Sequence, residues 1–544
     1  MRKLVIAVLI TCLAIPILAS QSQASSTPVE MATMEEALIV AENWVELIIK
    51  SKGSWGGSET AEVDEIQEFK RGDRVIGYFC RVEPQGFIIT SLYKELSPIK
   101  AYSATSDLDP ECEEGMADVI KAGMDRVLAA LELQLGPIES ASSEDIQDIL
   151  EINYLQAWEE LQGDLTELKR DLGSGVSKGN YQEGEVLLSS NWNQRPPYND
   201  QCPDMGCYWD DRYLDSSGVT STNWLSSPFY NENALVGCIA IAGAQTMRHW
   251  AWPPYRGNPD DRYDWPNILN EYEWDSWVGT FVDDNGNPVT QIQVNAVAEL
   301  CHEVGVEAGM EYDCESSVAC FASCIGKDLL DTFEDHFRYS TAADDYSRDD
   351  WSAVGWFNQI KGQLNLNRPL PYDSEGHHAW VCDGWQEIGS APLRQYHMNY
   401  GWSGLHCRYC CDPGQPPWPG NSNTWYTLDE LPCWPTDSEQ MLVNIYPAQA
   451  LMSSLSGTYS QQSFPYRYFD QDATGGSATF KPGQFLQFLP GIEVTCTSTA
   501  GGSIQFQGSS TENTLLFTRG DESEGVRIYN GIIKLNKDGS ITFP

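Results

Sequence analysis

The sequence predicts an α+β protein built from several units, and three observations predict it. An amphipathic helical stretch near the N-terminus runs into two alternating strands. An abrupt change near residue 186 opens a region dense in Trp, Tyr, Pro and Cys, and everything beyond Ser453 reads as short strands. At 544 residues the chain is past the size at which one hydrophobic core stops growing, so two to four domains are expected. Apolar residues make up 41% and aromatics 11%, enough for real cores and too much for wholesale disorder.

Residues 1–24 have the layout of an export signal, with Arg2 and Lys3 as charged start and Leu4 to Ala19 as apolar stretch. Ser22-Gln23-Ala24 supplies the cleavage site. Cys12 lies inside the apolar stretch, which continues past it, so cleavage near Ala24 and secretion are expected, with cell-surface association left open. No other segment reaches the roughly 18 apolar residues that span a bilayer. Thr33 to Lys50 repeats its apolar residues at three and four, which predicts a helix. Arg74 to Ser91 alternates as two strands turning at Glu83-Pro84-Gln85-Gly86, and Glu113 to Leu172 is helical and strongly charged. These elements make an α+β unit over residues 25–172. Residues 173–185 (GSGVSKGNYQEGE) lack apolar periodicity and read as an exposed linker open to proteolysis. Residues 186–449 have the composition of a compact extracellular catalytic domain, and 450–544 that of a small all-β domain without a nucleophile arrangement.

Charge excludes several functions. Against 33 basic residues stand 78 acidic ones, a net of −45, which repels phosphate backbones and anionic lipids. Sixteen cysteines, fifteen of them beyond the signal, imply an odd thiol in an exported protein whose other cysteines pair. Cys80 with Cys112 and Cys202 with Cys207 are the plausible local pairs. Cys407 and Cys410 would suit zinc, but no second C-x-x-C pair stands at ribbon spacing. The run Asp283 to Gly286 (DDNG) lacks the remaining ligands of a calcium loop and reads as a β-turn.

Four segments carry chemistry. Gly237 to Trp250 (GCIAIAGAQTMRHW) predicts a buried helix with Cys238 at its start, where free N–H groups and the helix dipole favour a thiolate. His378 lies 140 residues downstream in GHHAWVCDGW, at the head of a predicted strand and thus at a cleft edge. The strand YHMNYGWSG brings Asn399, an amide able to fix the imidazole tautomer, and Trp402, a ring able to shield that bond. Upstream, WNQRPPYN offers Gln194, whose amide would join the Cys238 N–H in an oxyanion hole. Nucleophile, base and oxyanion donors are what thiol-based acyl transfer requires, with imidazole about 3.5 Å from sulfur.

On these motifs the chain resembles the streptopain family of secreted cysteine peptidases, over most of its first 450 residues. The likeness runs through WNQRPPYN, GCIAIAGAQTMRHWAWP, DDWSAVGWFNQIKGQLNLNRPLPY into GHHAWVCDGW, and YHMNYGWSG followed by WYTLDEL. The resemblance implies a papain-like two-lobed fold with Cys238 as nucleophile, His378 as base, Gln194 in the oxyanion hole, and Asn399 and Trp402 supporting the histidine. The stretch from about Ala32 to Ser103, with GFIITS and SPIKAYS, is similar to this family's inhibitory propeptide, which implies a zymogen opened by a cut within 173–185. Tyr400 stands where the family usually has Trp, and the insertion Leu405 to Asn423 is unusual. The implied partners are peptide substrates and the chain's own pro-domain. No metal or cofactor is needed, and chelators should leave activity untouched. Two rival readings keep the fold but not the reaction: an inactive binding or adhesion protein, and an acyltransferase using the same pair.

Overall fold

The computed structural model describes residues 27–163 and 183–448 apart from internal stretches, the longest being 403–422 and 428–438, and from 456 onward it describes only backbone strand positions. Helix α1 (Met34–Lys52) starts at a capping box: the Thr33 hydroxyl accepts the Glu36 N–H, and the Glu36 carboxylate accepts the Thr33 N–H at 2.9 Å. Gly53, at φ 85°, ends it in the left-handed region that glycine enters without steric cost. Val40, Trp44, Leu47 and Ile48 form the face that α1 buries against a meander of β1 (Glu62–Arg71), β2 (Arg74–Glu83), β3 (Phe87–Ser91) and β4 (Ala101–Ser103). Three helices follow, α2 (Gly115–Leu135), α3 (Ser143–Leu150) and α4 (Leu155–Gln162), where the sequence predicted one charged helical stretch.

The rest of the described chain adds α5 (Cys238–Trp250), α6 (Gln291–Glu307) and α7 (Ala353–Leu364). It also adds six sheet strands: β5 (Asp344–Ser347), β6 (Leu370–Ser374), β7 (His378–Ile388), β8 (Leu393–Asn399), β9 (Asn423–Thr427) and β10 (Glu439–Val443). All ten strands form one antiparallel sheet in the order β1-β2-β3-β4-β9-β8-β7-β6-β10-β5. The N-terminal meander therefore continues the sheet of the later region, joined where Tyr102 pairs with Trp425 and Ala101 with Tyr426. That seam is buried and bonded: the Tyr102 and Trp425 rings stack at 6.3 Å, and the Gln386 amide donates to the Tyr102 hydroxyl at 2.9 Å.

Two cores lie on the faces of the later region. Tyr372, Trp380, Cys382 and Met398 join the core of the N-terminal meander, whereas Ala379 and Val381 pack with α5 and α6 in the second. The two-residue period of β7 thus sends alternate side chains into different cores. A helical lobe on one side and a sheet on the other is the α+β, two-lobed arrangement expected.

The cysteine expectations need correction. Cys207 bridges Cys314 across 107 residues, with Cα atoms 5.3 Å apart, and Cys320 bridges Cys324. Cys80 and Cys202 are buried free thiols, and Cys112 is in a disulfide of which Cys80 is not a member. Nearness in sequence misled because the loop carrying Cys207 folds back onto the loop after α6. Cys407 and Cys410 lie outside the described residues. The DDNG run is a turn, closed by the Gly286 N–H donating to the Asp283 carbonyl at 2.8 Å. Beyond 455, strands 456–459, 477–480 and 504–506 pair in parallel, as do 466–469 with 485–488 and 473–475 with 494–496. Among the described residues no helix is long and apolar enough to cross a membrane.

Candidate active site

Helix α5 is built from small and apolar residues that bury it on every side between sheet and lobe. Gly243 makes this possible: a side chain there would meet Val304 at 2.8 Å and Leu329 at 2.9 Å. At its head Gly237 has φ 90°, and an added Cβ would sit 2.6 Å from Met310. This turn makes Cys238 the first residue of the helix, half-buried, with its own N–H and that of Ile239 near the sulfur.

Burial pushes the Cys238 thiol up to about 11; the Ala379 N–H, bonded to the sulfur, pulls it down, and the Asp373 carboxylate pushes it further up. His378 opens β7 directly beside that N–H. Its Nε2 lies 2.8 Å from the Tyr400 carbonyl, which can only accept, so Nε2 carries the proton and Nδ1 keeps its lone pair. The ring stacks on Trp402 at 4.1 Å and faces Tyr400 at 6.2 Å. Burial lowers its pKa to about 4, so the imidazole is neutral at neutral pH.

The structure links the sequence-derived residues through backbone and neighbouring contacts, and only His378 and Trp402 line the same cavity. Among the described residues no hydrogen bond joins Cys238 to His378; the sulfur meets the backbone of the residue after the histidine. Asn399 does not bond the imidazole. Its amide donates to the Ser190 carbonyl at 2.8 Å and its oxygen accepts the Gly401 N–H at 3.2 Å and the Gln245 amide at 3.3 Å. The role expected of its side chain falls to the next carbonyl along, while Asn399 clamps the 400–402 turn that presents it. Gln194 accepts the Val236 N–H on its backbone carbonyl at 3.0 Å, tying its turn to the residues leading into Cys238.

Sequence reasoning missed Gln245, Ser190 and Asp373. Gln245 had a signal, since it lies seven residues after Cys238 and so on the same helix face. The resemblance implied a zymogen with an inhibitory pro-domain, without naming the element that covers the histidine. A cavity of about 470 Å³ lies between α2, contributing Asp118, Val119 and Arg126, and the sheet face that carries His378 and Trp402. A helix of the N-terminal unit therefore roofs the histidine.

Residues 192–409 match the Peptidase C10 family, and residues 27–125 match the Spi protease inhibitor family. Streptopain of Streptococcus pyogenes is 23% identical over 382 residues, covering 66% of this chain and 80% of that protein. The thiol protease/hemagglutinin PrtT of Porphyromonas gingivalis is 26% identical over 186 residues, 32% of this chain and 20% of that one. Among solved structures, a prointerpain A fragment of Prevotella intermedia aligns with a TM-score of 0.45 and 18% identity, over 70% of this chain and 98% of that fragment. With a free thiol at a helix head and an inhibitor domain in the same chain, this is a cysteine peptidase carrying its own inhibitor-type propeptide. Over residues 192–409 the chain is similar to the Peptidase C10 family, the streptopain-like peptidases.

Proposed function

We propose that the chain is an exported zymogen whose mature form cuts peptide bonds with Cys238 as nucleophile and His378 as base. The observation that carries this is the free, half-buried Cys238 thiol at the head of α5, one hydrogen bond from the strand that His378 opens. In the mature form Nδ1 of His378 takes the thiol proton, and the thiolate attacks the substrate carbonyl. The Cys238 N–H and the Gln194 side chain stabilise the resulting oxyanion. The imidazolium then protonates the departing amine, leaving an acyl-enzyme that a water, deprotonated by His378, hydrolyses.

The same reading accounts for an idle precursor. A thiol held near 11 and an imidazole near 4 are both neutral at pH 7, so no thiolate–imidazolium pair exists while α2 roofs the histidine. Cutting within 173–185 frees the N-terminal unit to leave, and the signal at residues 1–24 directs the chain out of the cell. The test is Cys238→Ala: peptide cleavage by the processed chain should be lost while thermal unfolding is unchanged. Retained cleavage refutes the assignment.

A further inference from the structure

Three strands place one acidic side chain level with the proposed base. His378 on β7 is the direct partner of Ser374 on β6, and Ser374 is the direct partner of Glu439 on β10. Direct partners in antiparallel strands project to the same face, so two strand spacings, about 10 Å, separate Glu439 from His378. Glu439 accepts a hydrogen bond from the Tyr372 hydroxyl at 2.5 Å, and that hydroxyl accepts one from the Trp356 indole at 2.9 Å. Glu439 and His378 line one cavity, whose walls on the sheet side include Trp380, Tyr396, Met398 and Tyr400. An aromatic well with a carboxylate at one end has the chemistry that receives a cation, since ring faces attract a guanidinium and the carboxylate neutralises it. The N-terminal unit lines the same cavity with Arg71 of β1 and Arg126 of α2, alongside Asp118 and Asp125, with Arg71 3.8 Å from the Asp118 carboxylate. The net charge of −45 adds long-range attraction for basic peptides.

We infer that, once the N-terminal unit has left, the sheet-side wall of this cavity is the subsite for an arginine or lysine side chain of the substrate, with Glu439 as the residue that sets the preference. The inference rests on the peptidase reading above. Extended peptide advances about 3.4 Å per residue, so the recognised side chain lies two or three residues from the scissile bond. Tyr372 is a positioning residue that fixes the rotamer of Glu439 through its hydroxyl.

The experiment assays the processed chain on internally quenched peptides in which one arginine is moved, position by position, through a neutral scaffold, each paired with a glutamine counterpart. At one position two or three residues from the cut, arginine should raise kcat/KM about tenfold over glutamine. Glu439→Gln should bring that ratio close to one, and Glu439→Asp, which keeps the charge, should retain part of it. A ratio near one at every position, or a gain that survives Glu439→Gln, overturns the assignment. Failure to cut any peptide, with arginine or glutamine, instead overturns the peptidase reading on which it stands.

Discussion

Opposing influences meet at the Cys238 sulfur. The helix head and the Ala379 N–H favour the thiolate, but burial and the Asp373 carboxylate outweigh them in the precursor. Thiolate, not thiol, reacts with alkylating agents. Iodoacetamide at pH 7 should therefore modify Cys238 at least tenfold faster after processing than before, as read by mass spectrometry of the labelled peptide. Equal rates would mean that the N-terminal unit does not control ionisation. Gln194→Ala should lower kcat by about 10²-fold with KM little changed, the signature of a donor that acts on the oxyanion; a change confined to KM would assign Gln194 to substrate binding instead. At this scale the sequence singled out side chains that carry the proposed reaction. Cys238, His378 and Trp402 stand in motifs with unusual residues. The acceptor at His378 Nε2 was not readable, because it is the Tyr400 carbonyl and every residue has one.

Elements were legible in proportion to their burial and length. Helix α5 announced itself by a run of small and apolar residues, and β7 by alternation beginning at the histidine. Strand β1 (EVDEIQEFKR) was missed because it is the outermost strand, with side chains mostly in water and therefore charged rather than alternating apolar. Strand β4 was missed because three residues are too few to show a period. The junction that matters most for chemistry is the Gly237 turn. Gly237→Ala must hold φ 90° with a Cβ and displace Met310, a strain of about 1–3 kcal/mol. It should lower the melting temperature by several degrees and reduce kcat/KM by tilting the helix head. An unchanged melting temperature would show that the turn relaxes and does not set the position of the sulfur.

On the scale of the whole molecule, one sheet runs through inhibitor and peptidase regions, so release of the first must break the β4–β9 seam. Nothing in either segment taken alone signals that pairing, since it joins strands more than 300 residues apart. The same holds for Cys207–Cys314, whose partners meet only through the folded lobe. Acid should loosen the precursor. Half-buried His249 and buried His378 have pKa values near 4 against 6.5 when exposed, so the unfolded chain takes up protons first as pH falls. Above pH 6.5 neither contributes; between 6.5 and 4 stability drops, by about 1.4 kcal/mol per pH unit for each group. Thermal unfolding of the Cys238→Ala precursor from pH 7 to pH 4.5 should show a falling midpoint, shallower in His249→Gln; a flat profile would contradict the neutral state of these rings.

Of the free cysteines among the described residues, Cys80, Cys202, Cys301 and Cys382 are buried thiols with pKa values pushed up by burial, and Cys238 alone is half-exposed. The most direct measurement is therefore to titrate the processed chain with a thiol-reactive epoxide while following peptide cleavage, and then to locate the adduct by mass spectrometry. One equivalent bound to Cys238, with activity lost in proportion, is the predicted result. Loss of activity with the label on another residue, or full labelling of Cys238 with cleavage intact, would contradict it.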